Sequence, residues 1–437
     1  LSTIHSVTAS FPDRVLPYPE AAQVVFDHVR TLTEKPPVEG IPLLKSLGRI
    51  LSEPVVADRD QPPFARATRD GFACHAADLD PSRPLQIVGQ LRSGQSWTGP
   101  DLKAGEAIEI MTGAPVPKGL DCVVMIEHVM IEEVMVEEVM VEEVMVEGQS
   151  IRPIDGRKWV SGENIVPRGA EAREGNVLIA PGTRIQPQQI AIAAACGKPS
   201  LSVYARPRVA ILATGDELVS LAETPLPHQI RNSNSYSLAA QVAKGGGDPV
   251  ILPPAPDVLS SLEESIRGAL TSDLILLSGG VSMGKYDFVE QALANLGAEF
   301  FFTGVLMQPG KPVVFGRVPF EAGHRYFFGL PGNPVSTMVT FALFVAPLLA
   351  RLSGQSANAC KPDFREGRLA ETVEVKPGLT RFLPARSESG IDGTRVSLRP
   401  WQGSGDIAAA SEANSFVVLP DGSGTLAAGA QVAVLYL

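Results

Sequence analysis

Little in this chain would support a disulfide scaffold, a zinc site or a nucleic-acid surface. Its four cysteines, Cys74, Cys122, Cys196 and Cys360, are scattered with no Cys-x-x-Cys pair, so they read as reduced structural thiols of a cytosolic protein. The six histidines show no His-Glu-x-x-His or paired His/Cys spacing, which disfavours a zinc hydrolase. A P-loop Gly-Lys-Ser/Thr is also missing. Positive charge is the minority sign: 37 Lys and Arg against 48 Asp and Glu give a formal charge of −11, so nucleic acid is not an expected partner. No long apolar run occurs either. The most apolar stretch, residues 338–349, contains Pro347 and falls short of the roughly 20 residues a membrane span needs, so it reads as a core helix and no membrane partner is expected. The first residues show no basic segment followed by an apolar one, and the expected location is the cytoplasm.

Glycine, by contrast, is plentiful and sits where it carries meaning. Thr214-Gly-Asp-Glu, Leu277-Ser-Gly-Gly-Val-Ser-Met-Gly-Lys-Tyr-Asp and Leu330-Pro-Gly-Asn-Pro each follow a short apolar run that reads as a buried parallel strand. In a doubly wound α/β domain ligands bind at the carboxyl ends of the strands, and glycines there let the backbone approach phosphate oxygens. The first inference is therefore an anionic ligand held with a divalent metal. The runs Arg208-Val-Ala-Ile-Leu-Ala, Asp273-Leu-Ile-Leu-Leu-Ser, Pro312-Val-Val-Phe-Gly and Arg325-Tyr-Phe-Phe-Gly-Leu are continuously apolar, as strands covered on both faces should be. Helices are expected between them: one from Asn232 to Gly245, one opened by Asp257 and running to Leu270, and one from 335 to 349 with Asn333 as cap and Pro334 at its first position. The expected architecture is a three-layer α/β sandwich of roughly 145 residues.

Taken in order, these strings resemble the MoeA family of molybdopterin molybdenumtransferases, which includes the E domain of gephyrin. The resemblance is carried by Thr214-Gly-Asp-Glu-Leu, Ser278-Gly-Gly-Val-Ser-Met-Gly-Lys-Tyr-Asp-Phe, Gln308-Pro-Gly-Lys-Pro and Gly329-Leu-Pro-Gly-Asn-Pro-Val-Ser. Upstream, Thr68-Arg-Asp-Gly-Phe-Ala and Ile110-Met-Thr-Gly-Ala-Pro-Val-Pro are similar to the family's N-terminal motifs. The resemblance implies a multidomain α/β plus β protein with four parts. These are an elongated N-terminal domain from residues 15–60 and 152–207, an inserted β-rich domain at 61–151, the molybdopterin-binding α/β domain at 208–354, and a C-terminal β-barrel at 355–437.

Within that frame Asp287, Glu217, Asp70 and Thr112 are the expected catalytic residues, and Glu217, Asp257 and Asp287 the expected ligands of Mg²⁺, whose preference is for oxygen donors. Asp216 and Glu217 are neighbours on a turn and point apart, so one faces the ligand and the other caps the turn. The resemblance selects Glu217. Substrate binding falls to Gly279, Gly280, Ser282, Lys285, Lys311, Pro331, Gly332, Asn333, Pro334, Arg386 and Ser404. Lys311 is confined by the prolines of Pro309-Gly-Lys-Pro, which aims its cation. Gly304 and Gln308 stand where relatives often carry lysine, and Pro384 where they tend to carry arginine.

The implied activity is insertion of molybdate, as substrate, into adenylylated molybdopterin with release of AMP. A homodimer with a cleft shared between subunits is implied too, as are the upstream adenylyltransferase and recipient molybdoenzymes as partners. Rival readings are the adenylyltransferase itself, a non-catalytic molybdopterin-binding scaffold, and a tungstate-selective insertase.

One segment belongs to none of these motifs. Val129-Met-Ile-Glu-Glu, Val134-Met-Val-Glu-Glu, Val139-Met-Val-Glu-Glu and Val144-Met-Val-Glu-Gly are near-identical pentapeptides. A period of five flips apolar residues across a strand and turns a helical stripe by about 140° per repeat, so no one face can be buried throughout. It reads as a duplication that extends a hairpin, without chemistry.

Overall fold

The computed structural model describes residues 14–134, 148–154, 156–280 and 288–436. Contacts divide the chain into two compact units, Leu1–Glu53 with Pro181–Gln186 and Ser200–Leu437, and Pro54–Ala180 with Pro187–Pro199.

The larger unit is built on a six-stranded sheet. Its strands are β1 (Arg208–Ala213), β2 (Asp248–Ile251), β3 (Leu274–Ser278), β4 (Glu299–Phe302), β5 (Val314–Phe320) and β6 (Gly323–Leu330), in the order β2-β1-β3-β6-β5-β4. β2, β1, β3 and β6 run parallel, so the three glycine-rich segments after β1, β3 and β6 emerge at one edge. β5 departs from that pattern. It pairs antiparallel with both β6 and β4, and its apolar composition alone carried no sign of direction.

Helices cover both faces, which is why the strands read as unbroken apolar runs. On one face Val209, Ile211, Leu274, Leu276 and Phe328 pack with Leu238 and Val242 of α1 (Asn234–Gly245). On the other, Ala210, Leu212, Ile275 and Leu277 meet Leu262 and Ile266 of α2 (Leu259–Ala269) and Val289 and Leu293 of α3 (Phe288–Asn295). Each of these Val, Ile, Leu and Phe side chains, fully buried, contributes about 1.5–3 kcal/mol. α4 (Pro334–Thr340) leads through a π-turn at Phe341–Val345 into a further helix, Ala346–Leu352, which places Pro347 in its first turn, where a missing N–H costs least. The whole segment Pro334–Leu352 is long and apolar enough to cross a membrane, yet 72% of it is buried inside the protein, as a core helix should be.

Toward the C-terminus β7 (Thr380–Gly390) and β8 (Gly393–Leu398) pair with one another, and the strands Phe364–Leu369, Gln431–Tyr436 and Ser415–Leu419 return to β7. The closure makes this a β-barrel, with the tail strands Phe416-Val-Val-Leu and Gln431-Val-Ala-Val in its wall.

The smaller unit holds a second six-stranded sheet, ordered Cys122–Met125, Gly71–Cys74, Glu106–Ile110, Leu85–Leu91, Gly148–Pro153, Val129–Val134. Val129–Val134 and Gly148–Pro153 form an antiparallel pair with Val134 opposite Gly148. The pentapeptides from 135 to 147 lie outside the described residues.

Candidate active site

Three strand ends of the larger unit are stitched into one surface. Past β1, the Thr214 N–H donates to the Ser278 carbonyl at 3.0 Å, and past β3 the Gly279 N–H donates to the Leu330 carbonyl at 3.2 Å. Gly279 and Gly280 adopt φ of +91° and +62°, conformations that L side chains rarely take. A Cβ on Gly279 would lie 2.6 Å from the Thr214 carbonyl oxygen, and one on Gly280 2.7 Å from Thr214 Oγ1. The double glycine is thus required by the residue beneath it. Gly332 lies beside them, where a Cβ would make only an ordinary contact of 3.6 Å with Gly279 Cα.

Asn234 ties this surface together. Its Nδ2 donates to Ser278 Oγ at 3.1 Å and to the Gly332 carbonyl at 2.6 Å, bracing the turns after β3 and β6 from the start of α1. In the sequence Asn234 is one polar residue in the string Asn232-Ser-Asn-Ser, with nothing to mark this role. The nearest signal was polarity at a helix start, and the capping bond there belongs in fact to Asn232, whose Oδ1 accepts from the Ser235 N–H at 3.1 Å. Asn333 departs from expectation as well. It occupies the cap position of α4 with Pro334 at the first helical residue, but its side chain makes no capping bond; its Nδ2 donates to Ser404 Oγ at 2.9 Å. The Val335 N–H donates to the Ser404 carbonyl at 3.1 Å. Two expected binding residues, Asn333 and Ser404, therefore meet. Pro331 is fixed through its carbonyl, which accepts from Thr337 Oγ1 at 2.6 Å.

The carboxylates past β1 divide their roles. Asp216 Oδ1 accepts from the Asp257 N–H at 3.3 Å and so takes the turn, while Glu217 is exposed with its carboxylate folded over Gly215. Asp257 does not cap α2: the cap position is Val258, and no side chain caps that helix. The Asp257 carboxyl is pushed above the usual range by partial burial and then by the Asp216 and Glu217 charges. Glu217 and Asp257 share a neighbourhood, but among the described residues no group of three acids, histidines or cysteines is arranged to hold a metal. The third expected ligand, Asp287, lies outside the described residues, as do Ser282 and Lys285.

Lys311 is exposed, and its carbonyl accepts from the Val305 N–H at 2.9 Å. Gln308 Oε1 accepts from Arg381 Nε at 3.2 Å. Arg386, on β7, is exposed and 3.5 Å from Glu388.

In the smaller unit the two N-terminal motifs come together. Asp70 Oδ1 accepts from the Thr112 N–H at 2.6 Å and from Thr112 Oγ1 at 2.7 Å. These bonds, the backbone one first, hold the Asp70 carboxyl below its usual range, so it is ionised at neutral pH.

Comparison with known proteins agrees with this anatomy. Residues 16–197 match the MoeA N-terminal region (domain I and II), 210–351 a probable molybdopterin binding domain, and 366–437 the MoeA C-terminal region (domain IV). The molybdopterin molybdenumtransferase of Nostoc sp. is 32% identical over 445 residues, covering 96% of this chain and 93% of the relative. That of Bacillus subtilis is 32% identical over 410 residues, with 91% and 90% covered. The chain belongs to the MoeA family.

A crystal structure of the molybdopterin biosynthesis MoeA protein from Pyrococcus horikoshii OT3 superposes with a TM-score of 0.74 at 26% identity, covering 97% of this chain and all of that one. A second structure of that organism's MoeA protein gives 0.70 at 29% identity. For a MoeA protein, the parallel strand ends, the barrel and the β-rich sheet are the expected parts, and the stitching of Thr214, Asn234, Ser278 and Gly332 is how this chain builds the first of them.

Proposed function

We propose that this MoeA-family chain is a molybdopterin molybdenumtransferase of molybdenum cofactor biosynthesis, which inserts molybdate into adenylylated molybdopterin and releases AMP. What carries the reading is the end-to-end similarity to proteins of that name. The glycine turns at one sheet edge are consistent with it, being suited to phosphate oxygens.

Two anions that repel one another must be held together. In this reading the Gly280 N–H, the Gly279 one being spent on Leu330, and the Lys311 ammonium offset charge on the leaving phosphate. The all-oxygen set of Glu217 and Asp257, with the Asp257 carboxyl raised by partial burial and then by the Asp216 and Glu217 charges, the second of which a cation would relieve, fits a hard divalent ion. Glu217, Asp257 and Asp287 would hold Mg²⁺, which supplies charge neutralisation at the phosphates. Asp70, kept ionised and oriented by Thr112, is contributed by a second copy of the chain, and Arg386 and Ser404 act from the barrel side. We further read the chain as four domains with the boundaries given above, as a cytoplasmic homodimer whose cleft is completed by a second copy, and as a partner of the upstream adenylyltransferase and recipient molybdoenzymes.

Incubation with adenylylated molybdopterin and Mg²⁺, with and without molybdate, while AMP and active cofactor are assayed, tests the reading. Molybdate-dependent AMP release with active cofactor is expected. Pterin binding without AMP release would instead indicate a scaffold, ATP consumption the adenylyltransferase, and a response to tungstate alone a tungstate insertase.

A further inference from the structure

Among the described residues two arginines carry a buried Nε that meets no acceptor, Arg325 and Arg399. Arg325 has other company: its guanidinium lies 4.9 Å over the Phe320 ring and its Nη1 reaches the His324 carbonyl at 3.5 Å. Arg399 has none. Among the described residues no ion pair, side-chain hydrogen bond or ring contact engages its guanidinium, although the residue is half-buried. Glu371, which reaches the end of this strand, spends its Oε1 on the Leu398 N–H at 3.1 Å. A buried guanidinium N–H with no acceptor is costly, and such a group calls for an explanation, a bound anion being one.

The backbone says where this cation points. Ala385 opposes Leu398 and Arg386 opposes Ser397 in the β7–β8 ladder, and the Arg399 N–H extends it by donating to the Pro384 carbonyl at 2.8 Å. Arg399 is therefore opposite Pro384, on the sheet face that Arg386 shares, and diagonal to Arg386 within reach of long side chains. Five residues further on, Ser404 is bonded to Asn333 and Val335 at the start of α4. The segment carrying Arg399 thus runs from the barrel wall to the turn after β6.

We propose that Arg399 is an oxyanion-binding residue of this site, its planar fork taking two oxygens of a tetrahedral anion, either molybdate or the phosphate of the adenylylated substrate. The proposal rests on the reading of this surface as the molybdenumtransferase site.

The test compares wild type with Arg399→Met, which keeps the apolar stem, and Arg399→Lys, which keeps the charge. KM is measured separately for molybdate and for adenylylated molybdopterin, along with melting temperature and calorimetric titration with molybdate and with AMP. Arg399→Met should raise one KM by roughly ten- to hundredfold, with Arg399→Lys recovering part of the loss. A change confined to molybdate identifies that anion, and one confined to the pterin substrate identifies the phosphate. The melting temperature of Arg399→Met should hold or rise, because an unpaired desolvated charge has been removed. Unchanged KM values in both arms, or a melting temperature several degrees lower with both KM values intact, would overturn the proposal and leave Arg399 structural. If wild type itself does not turn over, the functional reading fails, and the titrations alone decide Arg399: weaker anion binding in Arg399→Met supports it, and equal binding rejects it.

Discussion

Gly280→Ala tests whether the double glycine after β3 is imposed by Thr214. The new Cβ would meet Thr214 Oγ1 at 2.7 Å and Val289 Cγ2 at 2.8 Å, on a backbone held at φ +62°. The left-handed conformation alone costs an alanine about 1–2 kcal/mol. Pushing two side chains off their preferred positions adds about 1–2 kcal/mol more. The expected loss is about 2–4 kcal/mol by urea denaturation. Thr214 Oγ1 is buried and has no hydrogen-bond partner among the described residues, so Thr214→Ala removes the nearer obstacle without breaking any bond they make. In the double variant the losses should fall short of additivity by about 1 kcal/mol, within the range of coupling seen for residues in contact. Gly279→Ala is the internal control. Its nearest obstacle is the Thr214 carbonyl oxygen at 2.6 Å, which Thr214→Ala leaves in place, so no rescue should occur. Strict additivity for Gly280 and Thr214, or equal rescue at Gly279, would refute the reasoning.

Three further outcomes follow from the site. Asp257 has a folded-state pKa above its unfolded one, so the fold penalises its ionised form; the penalty is absent below the unfolded pKa, grows as pH rises through the folded pKa, and persists above it. Asp257→Asn should therefore stabilise the metal-free protein at neutral pH and diminish its thermal response to Mg²⁺; an unaltered Mg²⁺ response would remove Asp257 from the metal set. Asp70 has the opposite sign, its stabilisation being present above the unfolded pKa and lost as pH falls through the folded one. Thr112→Val keeps the stronger backbone bond and removes the hydroxyl, so NMR titration should find the Asp70 pKa moved only part of the way back, and turnover at neutral pH should fall less than in Asp70→Asn. Deleting residues 134–143, two whole pentapeptides, should preserve activity, since each doubling of loop length costs only about 0.6 kcal/mol; loss of folding would show that the repeat serves a core.

What could be read from the sequence was whatever depends on periodicity and on short strings. Continuous apolar runs placed β1, β3 and β6, because burial on both faces leaves no polar position in a strand, and the glycines that end them marked the ligand edge. Direction was not legible where composition is blind to it: β5 is as apolar as β6 yet runs against it. Capping differs from expectation at Asp257, which is not the cap residue, and at Asn333, which holds the cap position without a capping side-chain bond, for a related reason. A short polar residue before a helix is a plausible cap, but both have other work, Asp257 giving its N–H to Asp216 and Asn333 its amide to Ser404, 71 residues away.

Distance along the chain also hid Asn234, whose partners Ser278 and Gly332 lie 44 and 98 residues downstream. The strings that carry the family resemblance are those in which one glycine or one carboxylate must stand at a fixed place on a turn. The residues that hold the turns against one another have no local signature, because their requirement is set by pairs of strand ends that only the folded sheet brings together. Arg399 belongs to the second kind. Its sequence context, Leu398-Arg-Pro-Trp, says nothing of an anion; the proposal rests on its ladder bond to Pro384 and on a buried Nε that meets no acceptor among the described residues. In this fold the strings locate the glycine-rich edge of the sheet, and the residues that brace it, such as Asn234, are set by the folded sheet alone.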